Sequence, residues 1–246
     1  MTRSTATLAA CAVLGFQLLA SAQTDERAAA WLAKAQAAAG GAERLAEIQD
    51  VELERRVSSA GILQNLSGTQ LVRYILPGTL RQQSQLDFGR LAVFLSGDKG
   101  WIDGPQGYME MPPLQLRQAQ GEVFRAREAL LLSDRDESRT VRFLGETEQD
   151  GRAAGELEIA SKSLNQSVRV WIDAESGDLF RIAYDGVVLQ GQAPETVELF
   201  GDFRTLDGVR LPYRTSISQN GRAVSSIQLL GARFNSGFTV EGLSQR

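Results

Sequence analysis

The sequence predicts a mainly β fold of the α+β class, in which one large, twisted antiparallel sheet carries helices on its inner face. Three dipeptides separate pairs of β-like runs and have the chemistry of two-residue hairpin turns: Asp150-Gly151, Asp207-Gly208 and Asn220-Gly221. No helical pattern follows the individual strands in this half of the chain, as a parallel sheet would require. Consecutive hairpins therefore predict an antiparallel meander.

Residues 168–181 predict a strand, a tight turn and a second strand. The triplet Trp-Ile-Asp ends the first of these strands at Asp173, and the same triplet ends at Asp103 in an earlier stretch. Each Asp has a glycine four residues later, as a turn needs. A four-residue loop after Asp173 would place Trp171 opposite Phe180 on one face, whereas a bulge slipped by one residue would separate them.

Two helices are predicted before the sheet. Thr24 has a side chain suited to capping the first helix, and Gly40-Gly41 ends it. Small and apolar residues recur in this helix at the spacing of one face: Ala28, Trp31, Leu32, Ala35 and Ala39. A second, short helix is predicted over residues 42–48.

Period-two patterns then predict the strands 51–57, 69–76, 79–85 and 91–95. Pro112-Pro113 opens a mid-chain helix, predicted over residues 113–132, whose apolar stripe is Leu116, Ala119, Val123, Ala126 and Leu130. A helix inserted between strands must cover one sheet face. The stripe is compatible with a movable lid over a cavity and equally with a permanently docked helix.

The first residues predict export. One arginine precedes a mostly apolar run that ends in Ala20-Ser21-Ala22, so residues 1–22 are interpreted as a removed signal peptide and residues 23–246 as a single domain. A membrane anchor is the alternative, but the run is shorter than the ~20 apolar residues of a span. Lipidation at Cys11 is a second alternative. We expect a periplasmic protein with no transmembrane span in its mature chain.

Composition excludes several classes of function. The chain of 246 residues has no histidine, and its one cysteine is Cys11. A mature chain without these residues has no thiol nucleophile, no Ser-His dyad and no imidazole metal site, so we expect neither an enzyme nor a cofactor or metal. The net charge of −4 argues against a nucleic-acid partner.

Three acidic residues in the 168–181 turn are candidates for a functional site. Asp173, Glu175 and Asp178 form a cluster that fits a metal site or an acid/base pair. Turn chemistry accounts for them better, with Asp173 capping the turn backbone and the other two solvated. Asp202 and Arg204 flank Phe203 on one strand face, and ion pairing across the sheet accounts for them better than catalysis.

Three segments together resemble the LolA/LolB-like superfamily of lipoprotein-sorting and lipoprotein-carrier proteins. They are Gly-Asp-Lys-Gly-Trp-Ile-Asp-Gly-Pro at 97–105, Val-Trp-Ile-Asp-Ala-Glu-Ser-Gly at 170–177, and Phe-Asn-Ser-Gly-Phe at 234–238. The segment 200–212 is more similar to uncharacterised exported bacterial proteins of this type. The resemblance implies a half-open antiparallel barrel with helices over an apolar cavity that holds acyl chains. It transfers no ligand-binding residue to this sequence.

The resulting hypothesis is a non-enzymatic binding or carrier protein for a lipid or the acyl chains of a lipoprotein. Its candidate cavity-lining residues are Trp101, Trp171, Phe180, Tyr184, Phe200, Tyr213, Val123 and Leu130. Ordinary core packing is the competing interpretation of each. The alternative function is an envelope sensor or scaffold that recognises lipoproteins or peptides through a protein partner. A hydrolase is the third and would need two buried carboxyls roughly 5–10 Å apart.

Overall fold

A computed structural model describes residues 26–60, 65–188 and 190–245. The predicted signal peptide, the cap at Thr24 and Cys11 lie outside these residues. Within them, no helix is long and apolar enough to cross a membrane.

Thirteen strands form one antiparallel sheet. The helices of the described residues are α1 (26–38), α2 (Ala42–Ala46), α3 (Pro113–Phe124), α4 (Arg127–Leu131) and α5 (Val240–Ser244), with a 3₁₀ turn at Ser133–Arg135. The strands are β1 (Asp50–Ala60), β2 (Asn65–Ile75), β3 (Thr79–Leu86), β4 (Gly89–Ser96), β5 (Lys99–Gly104), β6 (Gly107–Glu110), β7 (Arg139–Gln149), β8 (Arg152–Ser161), β9 (Gln166–Asp173), β10 (Leu179–Asp185), β11 (Glu195–Leu206), β12 (Val209–Gln219) and β13 (Arg222–Phe234).

The sheet consists of two meanders joined side by side. The strand order β6-β5-β4-β3-β2-β1-β13-β12-β11-β10-β9-β8-β7 places β6 and β7 at opposite edges. The segment that connects these two strands contains α3 and α4, so it must pass across the sheet from one edge to the other. The sheet is curled and not closed, and the predicted mainly β fold with helices over its concave face is confirmed.

The three predicted hairpin turns are confirmed by their backbone angles. Both central residues have positive φ in each: 53° and 75° at Asp150-Gly151, 49° and 78° at Asp207-Gly208, and 47° and 76° at Asn220-Gly221. Positive φ at both positions is the signature of a type I′ turn, whose twist matches that of the flanking strands. Local turn chemistry therefore sets the pairing of five strands, β7 with β8, β11 with β12 and β12 with β13.

The core lies between the concave face and the helices. Ala28, Leu32, Ala35 and Ala39 of the predicted N-terminal stripe are buried there, and Trp31 is partly buried. Gly155 on β8 makes room for Trp31, because a Cβ at this glycine would come within 2.3 Å of the indole ring. The N-terminal helix therefore packs against the β8 side of the sheet.

The predicted single helix over 113–132 is wrong, because the helix is broken at Arg125 and Ala126. Ala126 has an extended ψ of 129° and caps α4. Arg139, buried at the start of β7, donates from Nη1 to the carbonyl oxygens of Phe124 at 3.2 Å and Ala129 at 3.0 Å, and to Ser133 Oγ at 3.2 Å. A guanidinium group thus binds carbonyls that a continuous helix would bind itself.

The turn between β9 and β10 is partly as predicted. Asp173 Oδ1 accepts hydrogen bonds from the backbone N–H groups of Glu175 and Ser176, so its capping role is confirmed. The predicted solvation of Asp178 is wrong: its carboxylate is buried and accepts two hydrogen bonds from Arg210, at 2.8 and 3.0 Å. Arg210 lies on β12, so this ion pair fastens the turn to a distant hairpin.

Asp202 and Arg204 are ion-paired, as expected of a structural role, but they pair with each other along β11, at 2.7 Å, and the predicted pairing across the sheet is wrong.

Asp50 fastens the C-terminal segment to the start of β1. Its buried carboxylate accepts hydrogen bonds from the backbone N–H groups of Ser236, Gly237 and Phe238, at 2.7 to 3.3 Å. This segment leads to α5, which places Leu243 against the face of the sheet that is turned away from the other helices. The 234–238 motif therefore has a structural role, because it attaches the C-terminal segment to β1.

Candidate functional site

A cavity of about 470 Å³ lies between the concave face of the sheet and the α3–α4 segment. This volume falls within the range of small-molecule binding sites. Most of the wall is apolar, with residues from both meanders: Leu53, Val93, Ile102, Met111, Phe200, Leu211, Ile227 and Leu229. Ala119 and Ala126 of the α3–α4 segment form part of the opposite wall. The arrangement suits the chain of an apolar or amphiphilic ligand.

Charged residues also line this cavity. Tyr184 donates a hydrogen bond of 2.9 Å to Glu198 Oε1 across the β10–β11 pair. Burial raises the pKa of the Glu198 carboxyl above its usual range, although the hydrogen bond from Tyr184 and the charge of Arg125 act in the opposite direction. Burial likewise raises the pKa of the Tyr184 hydroxyl, so that this hydroxyl remains a donor. Burial in the apolar wall therefore favours the neutral form of Glu198.

Arg55, Glu122 and Tyr74 form a second polar group. Tyr74 donates to Glu122 Oε1 at 3.3 Å, and Arg55 Nη2 lies 3.9 Å from the same oxygen. Burial raises the pKa of the Tyr74 hydroxyl. Arg55 projects into the cavity because β1 places it opposite Leu229 of β13 on the concave face.

Two more arginines lie at the break between α3 and α4. The guanidinium of Arg125 stacks 3.7 Å from the centre of the Tyr184 ring and donates to Gln166 at 3.4 Å. Arg127 is different, because its Nε and Nη1 atoms are buried and find no hydrogen-bond partner among the residues that the structure describes. Burial lowers the pKa of this guanidinium, while the charges of Glu128 and Asp178 raise it.

A second cavity, of about 830 Å³, lies beside the first. It is bounded by the turn at Leu76–Pro77–Gly78, the end of β4 and the loop before β7. Val123 and Phe124 of α3 line it, and Leu164 of the β8–β9 turn closes one side. Because Ala119 and Ala126 face the first cavity, α3 separates the two spaces.

The predicted lining residues are divided between the two faces of the sheet. Tyr184 and Phe200 line the first cavity, and Val123 lines the second. Leu130 is buried in the core between helices and sheet. Tyr213 is half-buried against the same core, with Arg204 4.6 Å from its ring centre.

The other three predicted residues lie on the convex face. Trp171 and Phe180 pack together with Ala154, Ala183 and Val197 in a separate cluster. A register shift in the β9–β10 pair leaves Phe180 as an extra residue, and Arg181 lies opposite Trp171. Phe180 nevertheless packs on the same face as Trp171, so neither of the two predicted loop geometries applies. Trp101 packs with Phe94 and with Leu243 of α5.

The charged residues of the cavity escaped prediction, although a signal exists for them. Glu198 shares its strand face with Phe200, and Arg55 shares its face with Val51 and Leu53. A charged residue in the apolar phase of an alternating strand indicates a polar group that faces inward. Arg127 has no such signal, because its position depends on the helix break.

Within the described residues, no group of three or more Asp, Glu, His or Cys side chains is arranged to hold a metal ion. The buried carboxyls also differ in their partners: Glu52 pairs with Arg73 at 2.6 Å and with Arg233, whereas Glu198 bonds a tyrosine hydroxyl.

Comparison with solved structures shows the same fold in several proteins at low sequence identity. A LolA superfamily protein from Nitrosomonas europaea superposes with a TM-score of 0.64 and 12% identity, over 89% of this chain and 97% of that one. A domain from Vibrio parahaemolyticus, assigned to outer membrane lipoprotein sorting, gives a TM-score of 0.58 at 12% identity, over 88% and 97%. A DUF1329 family protein from Desulfovibrio piger gives 0.58 at 12%, over 85% and 94%.

No protein-family model matches the sequence, and no curated protein matches it. The chain has the LolA-like fold, which confirms the resemblance of its three motifs at the level of the fold. Its sequence is divergent.

Proposed function

We propose that this chain is an exported, non-enzymatic binding or carrier protein that holds a lipid, or the acyl chains of a lipoprotein, in the cavity between the sheet and the α3–α4 segment. The observation that carries the proposal is the apolar wall of this cavity, which residues of both meanders form. Apolar surface left open to water in a folded protein marks a binding site.

The energetics favour a chain-like ligand. Each Å² of apolar wall that a ligand covers contributes about 25 cal/mol, and the apolar surface that the ligand itself buries contributes at the same rate. The cost of immobilising the ligand is subtracted from this gain, so the affinity should rise with the length of the acyl chain.

The experiment measures binding of a fluorescent single-chain lipid to the purified protein and to two variants of β13. Leu229→Arg places a charge in the cavity wall, because Leu229 lines the cavity. Leu230→Arg is the matched control, since Leu230 is exposed. We expect at least tenfold weaker binding for Leu229→Arg and unchanged binding for Leu230→Arg. Equal affinity of all three proteins would refute the proposal.

Export and domain organisation belong to the same proposal. We infer that residues 1–22 are removed and that residues 23–246 act as one periplasmic domain. Mass spectrometry of the exported protein tests this: the mature chain is expected to begin at Gln23. A diacylglyceryl group on Cys11 or retention of the residues before Ala20 would contradict it.

A second candidate function, recognition of an envelope protein or peptide, is favoured by one observation. All four residues of the edge strand β6 are exposed, and Met109 is among the most exposed apolar side chains. A peptide strand can add to such an edge through main-chain hydrogen bonds. Native mass spectrometry of protein purified from its own envelope separates the candidates: bound acyl species support the carrier, and a stoichiometric protein partner without lipid supports the sensor.

A further inference from the structure

The unpartnered guanidinium of Arg127 is the feature of the cavity that its apolar wall does not explain. Arg127 lines the cavity, and its buried Nε and Nη1 atoms donate to no group in the described part of the chain. Leaving a buried charged donor without an acceptor costs more free energy than a neutral one. A protein retains such a group when something other than the protein supplies the acceptor.

The neighbouring acids do not supply that acceptor. Glu128 is adjacent in sequence and buried, yet among the described residues no carboxylate oxygen lies within 4.0 Å of an Arg127 nitrogen. Asp178 attracts Arg127 electrostatically, but both of its oxygens accept from Arg210. The attraction therefore reduces the free-energy cost of burying the charge of Arg127, but it leaves the N–H groups of Arg127 without hydrogen-bond acceptors.

Most other charged groups of the cavity are already engaged. Glu122 lies next to Arg55 and Tyr74, Glu198 accepts from Tyr184, and Arg125 stacks on the Tyr184 ring. Arg55 nevertheless has a buried Nε without a partner in the described residues. The cavity therefore contains unused cationic donors on two of its walls, on β1 and at the start of α4. Glu128 also lines the cavity without a hydrogen bond or ion pair to another described residue, and its charge favours the charged form of Arg127.

We propose that the ligand is a single-chain amphiphile with an anionic head, a carboxylate or a phosphate monoester, which Arg127 binds with the help of Arg55 while the chain lies along the apolar wall. The inference rests on the proposed function and specifies its ligand class. The planar fork of a guanidinium matches the two oxygens of a carboxylate or phosphate, and such charge-assisted hydrogen bonds are about twice as strong as neutral ones.

Titration calorimetry below the critical micelle concentration tests the proposal with four ligands: laurate, dodecyl phosphate, dodecanol and inorganic phosphate. Wild-type protein is expected to bind at least one of the two anionic amphiphiles about tenfold or more tightly than dodecanol, because a hydrogen bond to a charged group contributes this much. The tighter of the two identifies the head group. Inorganic phosphate is expected not to bind, since it lacks the chain.

Two variants assign the preference to one residue. Arg127→Met keeps the length of the side chain and removes the charge, and it is expected to bring the affinity for the anionic amphiphile down to that for dodecanol. Arg117→Met removes an exposed arginine of α3 and is expected to keep the wild-type preference. A preference that survives in Arg127→Met would overturn the proposal, and so would tight binding of inorganic phosphate alone.

The melting temperature without ligand gives a readout that a structural arginine would not produce. Because Arg127 has no partner, its replacement relieves a desolvated charge, and the apo form of Arg127→Met is expected to melt at or above the temperature of wild type. A clear decrease would show that Arg127 is a structural group and would overturn the proposal. Equal binding of laurate, dodecyl phosphate and dodecanol refutes this inference but leaves the proposed function standing, whereas absence of binding by all three refutes both.

Discussion

Replacing Arg139 tests what breaks the mid-chain helix. Arg139→Met removes the guanidinium that donates to the carbonyl oxygens of Phe124 and Ala129 and to Ser133 Oγ, and that pairs through Nε with Asp136 at 2.9 Å. The side chain of Arg139 is only 5% exposed, so water cannot easily take over these hydrogen bonds.

The magnitude follows from these contacts. The carbonyl of Phe124 would be left buried and unsatisfied, which costs about 1–3 kcal/mol, whereas the carbonyl of Ala129 keeps its hydrogen bond from Ser133 Oγ at 3.2 Å. The pair with Asp136 adds less than about 1 kcal/mol, since the Asp136 side chain is one-third exposed. Removal of the buried charge returns part of the loss, because burial disfavours the charged form and lowers the pKa of Arg139. We expect a net loss of about 1–3 kcal/mol in the free energy of unfolding.

Urea denaturation followed by tryptophan fluorescence measures this change. Arg142→Met is the control on the same strand, because Arg142 forms an exposed ion pair with Glu158, and it should change stability by less than about 0.5 kcal/mol. Arg139→Lys should fall between the two, since an ammonium group cannot reach all four acceptors. If Arg139→Met were as stable as Arg142→Met, the helix break would have another cause.

Three further predictions concern the turn, the cavity acid and the helix over the cavity. Asp178→Asn should lower the free energy of unfolding by about 2–3 kcal/mol, because Arg210 loses a buried partner. Glu175→Gln in the same turn is the control and should have no measurable effect. Equal stabilities of the two variants in urea would contradict this prediction. Glu198→Gln should be more stable than wild type at pH 8 and equally stable at pH 4. The folded protein keeps a proton on Glu198 above the usual carboxyl pKa, so wild-type stability falls as pH rises through the raised pKa. A stability difference that does not change with pH would refute this. Gln118→Ala combined with Gln120→Ala removes the hydrogen bonds of α3 to Val187 O and Gly97 O. If α3 is a movable lid, this double variant should take up lipid severalfold faster in stopped-flow fluorescence, with little loss of stability. Unchanged uptake would indicate a docked helix.

The parts of this fold that sequence could predict are those that local chemistry determines. Asp150-Gly151 and its two counterparts require positive φ at successive residues, which few other sequences tolerate, so both the turns and the antiparallel pairing around them follow from the sequence. The buried face of the N-terminal helix follows in the same way from the spacing of Ala28, Leu32 and Ala35.

The parts that were missed depend on distant residues. Neither Arg125 nor Ala126 is a helix breaker, and the break depends on Arg139, which belongs to the next strand. Asp178 is buried because Arg210 reaches it from another hairpin. The sequence of a strand also does not indicate which face of the sheet an aromatic residue occupies. Trp101 on the convex face and Phe200 in the cavity could be distinguished only once the helices that cover each face were known.

The seam between the two meanders has a consequence for the order of folding. Every strand pair in the sheet joins sequence neighbours except β1–β13, which brings Val51 opposite Phe234. Local hairpins close rapidly, whereas a contact across so long a loop carries a larger entropic cost and forms late. A chain that is synthesised from its N-terminus can therefore assemble β1–β6 early, but the two halves of the cavity wall meet only after β13 has followed.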